Sequence, residues 1–218
     1  MEMRIFVPIN HLTMNRFTQF IILLSLHLTS MFIVLACSSE KEAELKEWEE
    51  LVNETPKEAL DKAEQLSLQF VHANKHAQMK FALLKYKAED KCYIPHKSDS
   101  LIKQICDYFE QNGSYREKME TYYYMGSTYR DMGDNPLSIT WYHQAGGIAE
   151  SSNLTHEDSI VLSYIYSQMA DLYYRIGSEQ DAYRYIMKYY DIQHAMGIDD
   201  MATHADVGRM ANCMDSID

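Results

Sequence analysis

Few side chains in this sequence stand at spacings that do chemistry. His72 and His76 are four residues apart, so one helix would set both on a single face at metal-ligand spacing. No Glu or Cys stands beside them in a zinc arrangement, and they read as two exposed or packed histidines. The cysteines are Cys37, Cys92, Cys106 and Cys213. Cys37 has surroundings that mark it for modification, which leaves an odd number. Cys92 falls at the end of one expected helix and Cys106 two turns into the next, too far apart for a bridge. Free, largely buried thiols are expected. The dense carboxylates of 42–50 read as a solvated helix face. No G-x-S-x-G, P-loop or dinucleotide fingerprint occurs, and no nucleophile stands beside a base. The expectation is a chain that is not an enzyme and uses no metal and no cofactor.

The composition suggests a helical, soluble, acidic body and by itself says nothing about chemistry. The chain has 218 residues, with 20 Lys and Arg against 32 Asp and Glu, a formal charge of −12. Phosphate backbones need a basic surface, so nucleic acid is excluded as a partner. Only 8 Gly and 4 Pro are present, too few for the many turns of an all-β protein. Seventeen Tyr and 14 Met are available as core; stripes of these residues at helical spacing fill cores more often than they build cofactor sites.

Residues 1–36 differ from the remainder of the chain. Glu2, Arg4 and Arg16 are their only formal charges, and an apolar run from Phe20 to Ala36 ends at Cys37. A basic start, an apolar run and a small residue before the cut make a secretory signal. Translation could start at Met1 or at Met14, which gives a compact Met14-Asn15-Arg16 basic region. Val34-Leu35-Ala36-Cys37, followed by polar Ser38-Ser39-Glu40, resembles a bacterial lipobox. That resemblance implies cleavage before Cys37 and acylation, palmitate included, of its new terminus. Several acyl chains anchor stably where one does not. The body would then face the periplasm or the cell surface. The other reading of the run is a transmembrane anchor, for which it is barely long enough.

From residue 42 onward the hydrophobic pattern has a helical period and no strand-like alternation. A first helix is expected near 42–52 with Leu45 and Trp48 on one face. Thr55-Pro56 should start a second, with Thr55 as cap and Pro56 at the first helical position. Its face carries Ala59, Ala63, Leu66 and Phe70. A third is expected near 77–90, with Met79, Ala82, Leu83 and Tyr86 inward. Pro95 ends the connection, and Ser98-Asp99-Ser100 opens a helix carrying Ile102, Ile105 and Phe109 until Gly113.

A spacing then repeats. Tyr122, Met125, Gly126 and Tyr129 lead to a stop at Gly133, and Asn135-Pro136 restarts the chain with a cap and a first-position Pro. Ser138, Trp141, Tyr142 and Ala145 mark the return helix. Tyr166, Met169, Ala170, Tyr173 and Gly177 recur 44 residues later, as do Ala182 and Ile186 after Ser138 and Tyr142. Thr155-His156-Glu157-Asp158 and Ser178-Glu179-Gln180-Asp181 look like capping boxes. A third copy begins at Met210-Ala211. Each copy reads as a hairpin of two helices. Small residues sit where the helices approach most closely, and aromatics one turn away fill the neighbouring holes. One hairpin cannot bury both faces, so copies must stack.

These residues resemble the tetratricopeptide repeat family. Its pattern has an aromatic, then Leu-Gly, then Tyr on the first helix, a Gly-Asp turn, then a small residue, an aromatic and Ala on the second. Tyr122, Met125-Gly126, Tyr129, Gly133-Asp134, Ser138, Tyr142 and Ala145 follow it. The copy at Tyr166 departs at Tyr189, where the family prefers a small residue. The 44-residue spacing exceeds the usual ~34. The excess fits a longer first helix from Thr155. The resemblance is strong over 118–192 and weaker over 56–113. It implies an all-α fold, an α-solenoid of stacked antiparallel hairpins. The chain would divide into a lipoprotein signal (1–36), a linker and helix (37–55), degenerate hairpins (56–117) and clearer repeats, the last incomplete (118–218).

Stacked hairpins curve, and their first helices line an inner groove. The side chains off the packing face of those helices are Glu120, Tyr123, Tyr124, Ser127, Arg130, Gln168, Asp171, Tyr174 and Arg175. Tyr and Arg are frequent binding anchors; equally, Tyr123, Tyr124 and Tyr174 could pack on neighbouring hairpins. By resemblance the groove takes a peptide or helix of a partner protein. The function expected is that of a lipid-anchored, extracytoplasmic, non-catalytic binding protein. The alternative is the sensor portion of a truncated membrane-bound regulator, since the third copy is unfinished. An unfinished array also exposes an apolar end that invites a second copy of the chain.

Overall fold

The computed structural model describes residues 16–150 and 153–198, without the side chains of 16–18 and 30–40. Met1, Met14, the third copy at Met210-Ala211 and Cys213 lie outside the described residues, as does the side chain of Cys37. Contacts divide the chain into two units, Met1–Glu44 and Leu45–Asp218. In the first, helix α1 (Arg16–Glu54) begins, and its side chains from Phe20 to Leu28 are exposed. Among the described residues no helix is long and apolar enough to cross a membrane.

The described part of the second unit is all helical. After the end of α1 come α2 (Pro56–Phe70), α3 (Lys75–Lys91), α4 (Ser100–Asn112), α5 (Tyr115–Asp131), α6 (Asn135–Glu150), α7 (His156–Arg175) and α8 (Glu179–Ala195). Helices adjacent in sequence pack on one another from α2 to α8, most extensively α5 on α6 and α7 on α8. Alternate helices also touch, α3 on α5 and α5 on α7.

Two apolar clusters hold the unit. One joins Leu45, Trp48 and Val52 of α1 to Ala59, Ala63 and Phe70 of α2 and to Ala77, Phe81, Leu84 and Ala88 of α3. The Phe81 ring lies stacked between Trp48, 4.6 Å away, and Phe70, 5.0 Å away. The other cluster runs from Leu83 and Tyr86 of α3 through α4–α7 to Tyr185 and Ile186 of α8. Helix α3 therefore buries two faces, where the sequence reading assigned it one. The anticipated Leu83 and Tyr86 face α4 and α5, while Ala77, Phe81, Leu84 and Ala88 face α1 and α2.

Local signals act mostly as expected, with three corrections. Thr55 precedes Pro56 but makes no capping bond; its hydroxyl turns back to the Leu51 carbonyl at 3.5 Å. Asn135 is already helical, and Asp134 caps α6 by accepting from Leu137 N at 3.1 Å. Ser178 donates to the Asp181 carboxylate and caps no backbone group. The box at Thr155 and Asp158 is complete, and Ser114 with Glu117 forms another that the sequence reading passed over.

Helices α5 and α6 are packed tightly at Gly126. A Cβ there would lie 2.7 Å from the ring of Tyr142, which is fully buried. Ser138 donates to the Gly126 carbonyl at 2.8 Å across the same contact. In the next hairpin Ala170 and Ile186 stand 44 residues after Gly126 and Tyr142, and both are buried. Gly126→Ala is expected to cost about 2 kcal/mol, the usual penalty for overpacking a filled core. Thermal unfolding checks it. The paired variant Gly126→Ala with Tyr142→Ile, which copies the second hairpin, should recover part of the loss.

Candidate binding groove

One groove, with a volume of about 1160 Å³, runs across the second unit. Its walls come from the end of α1, from α3, α5 and α7, and from the turn Tyr93-Ile94-Pro95. Capping fixes the α5 and α7 walls. Each helix starts on a capping box, and the two starts are tied together. Asp158 of α7 accepts from Tyr115 Oη at 2.6 Å and pairs with Arg116 Nε at 2.9 Å, both from α5.

Farther along α5, Arg130 joins three helices. It donates to Gln168 Oε1 on α7 at 2.7 Å, to Asp131 at 2.9 Å and to Asp90 on α3 at 3.3 Å. Lys87 of α3 and Glu120 of α5 form a buried pair at 3.3 Å. Tyr86 and Thr128 share a buried hydrogen bond between the same two helices. Removing one member of such a pair leaves an uncompensated buried charge, so these contacts hold the walls in register.

Of the expected groove residues, Glu120, Tyr123, Tyr124, Arg130, Gln168, Asp171 and Arg175 line the groove. Ser127 does not: it is fully buried, and its hydroxyl shares a 3.2 Å bond with Tyr142 Oη. Tyr174 also lies off the lining, with its side chain exposed. Tyr123 and Tyr124 are core as much as wall. Tyr124 sets its ring edge-on to Tyr86 of α3, and Tyr123 leans on Tyr142 of α6. Burial pushes both hydroxyls well above the ordinary tyrosine range, so they stay protonated. Asp171 and Arg175 pair with each other at 2.8 Å in solvent.

The groove also uses residues that the sequence reading missed: Lys87, Asp90 and Lys91 of α3, the 93–95 turn, and Ile160, Val161 and Tyr164 of α7. A signal for one was present, because Tyr164 stands 44 residues after Glu120. Six lysines and arginines against seven carboxylates make the lining close to neutral, within a chain of charge −12.

The singled-out chemistry is dispersed. His72 lies in the turn after α2 and His76 in α3, so they do not share a helix. His76 packs near Tyr108 and Phe109 and pairs with Glu117 at 3.4 Å. Among the described residues no cluster of His, Cys, Asp and Glu could hold a metal ion. Cys92 and Cys106 are not bridged, and burial pushes the Cys106 thiol up to about 12, far from a nucleophile's range.

His96 clamps the turn beside the groove. Its ring stacks on Tyr86 at 3.7 Å, with Glu89 on one nitrogen at 3.3 Å and Asp131 on the other at 3.4 Å. Burial alone would lower its pKa. The bonds and charges of Asp131 and Glu89 outweigh that and raise it to about 9. No family model, no curated protein and no solved structure matches this chain.

A histidine bound more tightly as a cation stabilises the fold fully below its unfolded pKa, and the gain fades as pH rises through the folded value. His96→Gln should therefore lower the melting temperature by several degrees at pH 6, a loss of about 2 kcal/mol for a charged hydrogen-bonded group. The gap between variant and wild type should close between pH 6.5 and pH 9, the window set by the two pKa values. A gap independent of pH would mean that the ring acts by packing alone.

Proposed function

We propose that this chain is a non-catalytic binding protein that holds a partner's peptide segment in the groove of α3, α5 and α7. The observation that carries the reading is the shared lining: the alternate helices α3, α5 and α7, together with the end of α1, present side chains to one groove. The internal 44-residue spacing and the contacts of α3 on α5 and α5 on α7 support a tetratricopeptide-like solenoid as the framework. The groove's volume of about 1160 Å³ exceeds the range common for small-molecule sites, as a peptide segment would require. The sequence before Cys37 supports export, cleavage and lipid attachment, with the binding body in the cell envelope.

Two experiments test the two halves. A photocrosslinking residue at Tyr164, half exposed in the groove, should give discrete adducts in cells. The same residue at Leu68, which is 73% exposed on α2 away from the groove, should not. Identical patterns from both positions would remove the groove. For the anchor, Cys37→Ala should abolish labelling by a palmitate analogue and release of a cleaved, acylated form. Unchanged labelling would remove it.

A further inference from the structure

Helix α6 receives the next helix pair through three side positions on one face, and the same positions recur on α8. His143 Nε2 meets Tyr173 Oη of α7 at 3.0 Å, and its ring lies edge-on to Tyr185 of α8. A Cβ at Gly146 would sit 3.8 Å from the Tyr166 ring of α7. Glu150 accepts from Tyr166 Oη at 2.7 Å and pairs with Lys188 of α8 at 2.9 Å. The residues 44 later are Met187, Tyr190 and His194 of α8. Their steps of three and four residues set them on one helical face. Met187 and Tyr190 are half-buried, and His194 is exposed. The described residues end at Ile198, so no described helix follows α8 as α7 follows α6.

The chain leaves α8 on a turn of known consequence. Gly197 has φ of +74°; its N–H bonds to His194 O at 3.0 Å and Ile198 N to Gln193 O at 2.9 Å, the pattern of a Schellman cap. Gly133 and Gly177 end α5 and α7 with the same two bonds, at φ of +81° and +77°. Two residues after each of them a helix starts that packs extensively on the helix just ended. The same count puts a helix start at Asp199-Asp200, where acidic side chains suit a helix N-terminus.

Residues 199–218 number 20, the length of α7. Val207, Met210, Met214 and Ile217 stand there at i, i+3, i+7 and i+10, which makes one apolar helical face, with Arg209, Asn212 and Ser216 opposite. Met210-Ala211 follows Met169-Ala170 by 41 residues, and that count sets Val207 at the place of Tyr166 and Met214 at that of Tyr173. Tyr166 and Tyr173 are side chains by which α7 meets α6. The sizes also complement each other: Tyr166 lies against Gly146, and Val207 would lie against Tyr190, one large and one small residue in each pair.

We propose that residues 199–218 of this chain form a helix that packs antiparallel on α8, with Val207 against Tyr190 and Met214 against Met187. The segment covers, within its own chain, the α8 face that corresponds to the α7-binding face of α6. This contact does not rest on the peptide-binding reading.

Cysteine pairs in the full chain test it, on a background of Cys92→Ser and Cys213→Ser. Met187→Cys with Met214→Cys should close a disulfide within one chain under mild oxidation, located by mass spectrometry of tryptic peptides. Its yield should exceed about tenfold that of Met187→Cys with Asn212→Cys, whose second position faces away. Val207→Asp should lower the melting temperature by about 4 °C, while Arg209→Asp, on the opposite face, should leave it unchanged. Equal yields from the two pairs, no disulfide from either, or a melting temperature indifferent to Val207→Asp overturns the proposal. A disulfide found only between two chains overturns it as well and assigns the α8 face to a second copy.

Discussion

The contact between Gly126 and Tyr142 sets the rest of the unit in place. No side chain fits between the α5 backbone and the Tyr142 ring, so the two helices meet at the shortest distance a tyrosine allows. That one distance fixes several others. It brings Ser138 to the Gly126 carbonyl and Tyr142 Oη to Ser127, which locks α5 in rotation as well as in separation. With α5 locked, Glu120, Tyr123 and Tyr124 can only face the groove side, and Tyr129 is delivered to Asp99 at 2.8 Å. Close packing of large rings against a bare backbone turns a local sequence feature into a defined wall.

The walls consume most of their own polar groups. Arg130, the obvious candidate for grasping a ligand, is committed to Gln168, Asp131 and Asp90, and Lys87 to Glu120. Arg116 is likewise held by Asp158. Such networks specify one arrangement of α3, α5 and α7 at the price of desolvating each charge. Any ligand of this groove would be left with its exposed rim. The distinction matters for any mutational study: changing Arg130 or Tyr124 would disturb the fold before it reported on binding.

The clearer hairpins were readable from residues, because their chemistry is local. Gly133 and Gly177 mark left-handed stops, and Met125, Ala145, Met169 and Ala182 fall inward at helical spacing. The region before residue 114 was read less well, for a specific reason. Aligning Tyr93 with Gly133 sets Asp90 at the place of Arg130 and Lys91 at that of Asp131, all four in the groove. That register was hidden because Tyr93 stands where the other ends have Gly, and Tyr86 stands where Gly126 does. The two-faced burial of α3 was hidden too, since periodicity reveals a stripe but not a second stripe that belongs to a different neighbour. Whether a tyrosine off the main stripe faces a partner or a neighbouring helix depends on tertiary contacts, which is why Tyr123 and Tyr124 were open to both readings and Ser127 was misplaced.

The account stands on the groove being a surface that another chain covers. Hydroxyl-radical footprinting of the protein in intact cells and after purification measures this directly at single residues. Tyr93 and Tyr164 should be protected in cells and become reactive on purification, while exposed Leu68 reacts equally in both. Equal reactivity of Tyr93 and Tyr164 in the two states would contradict an occupied groove.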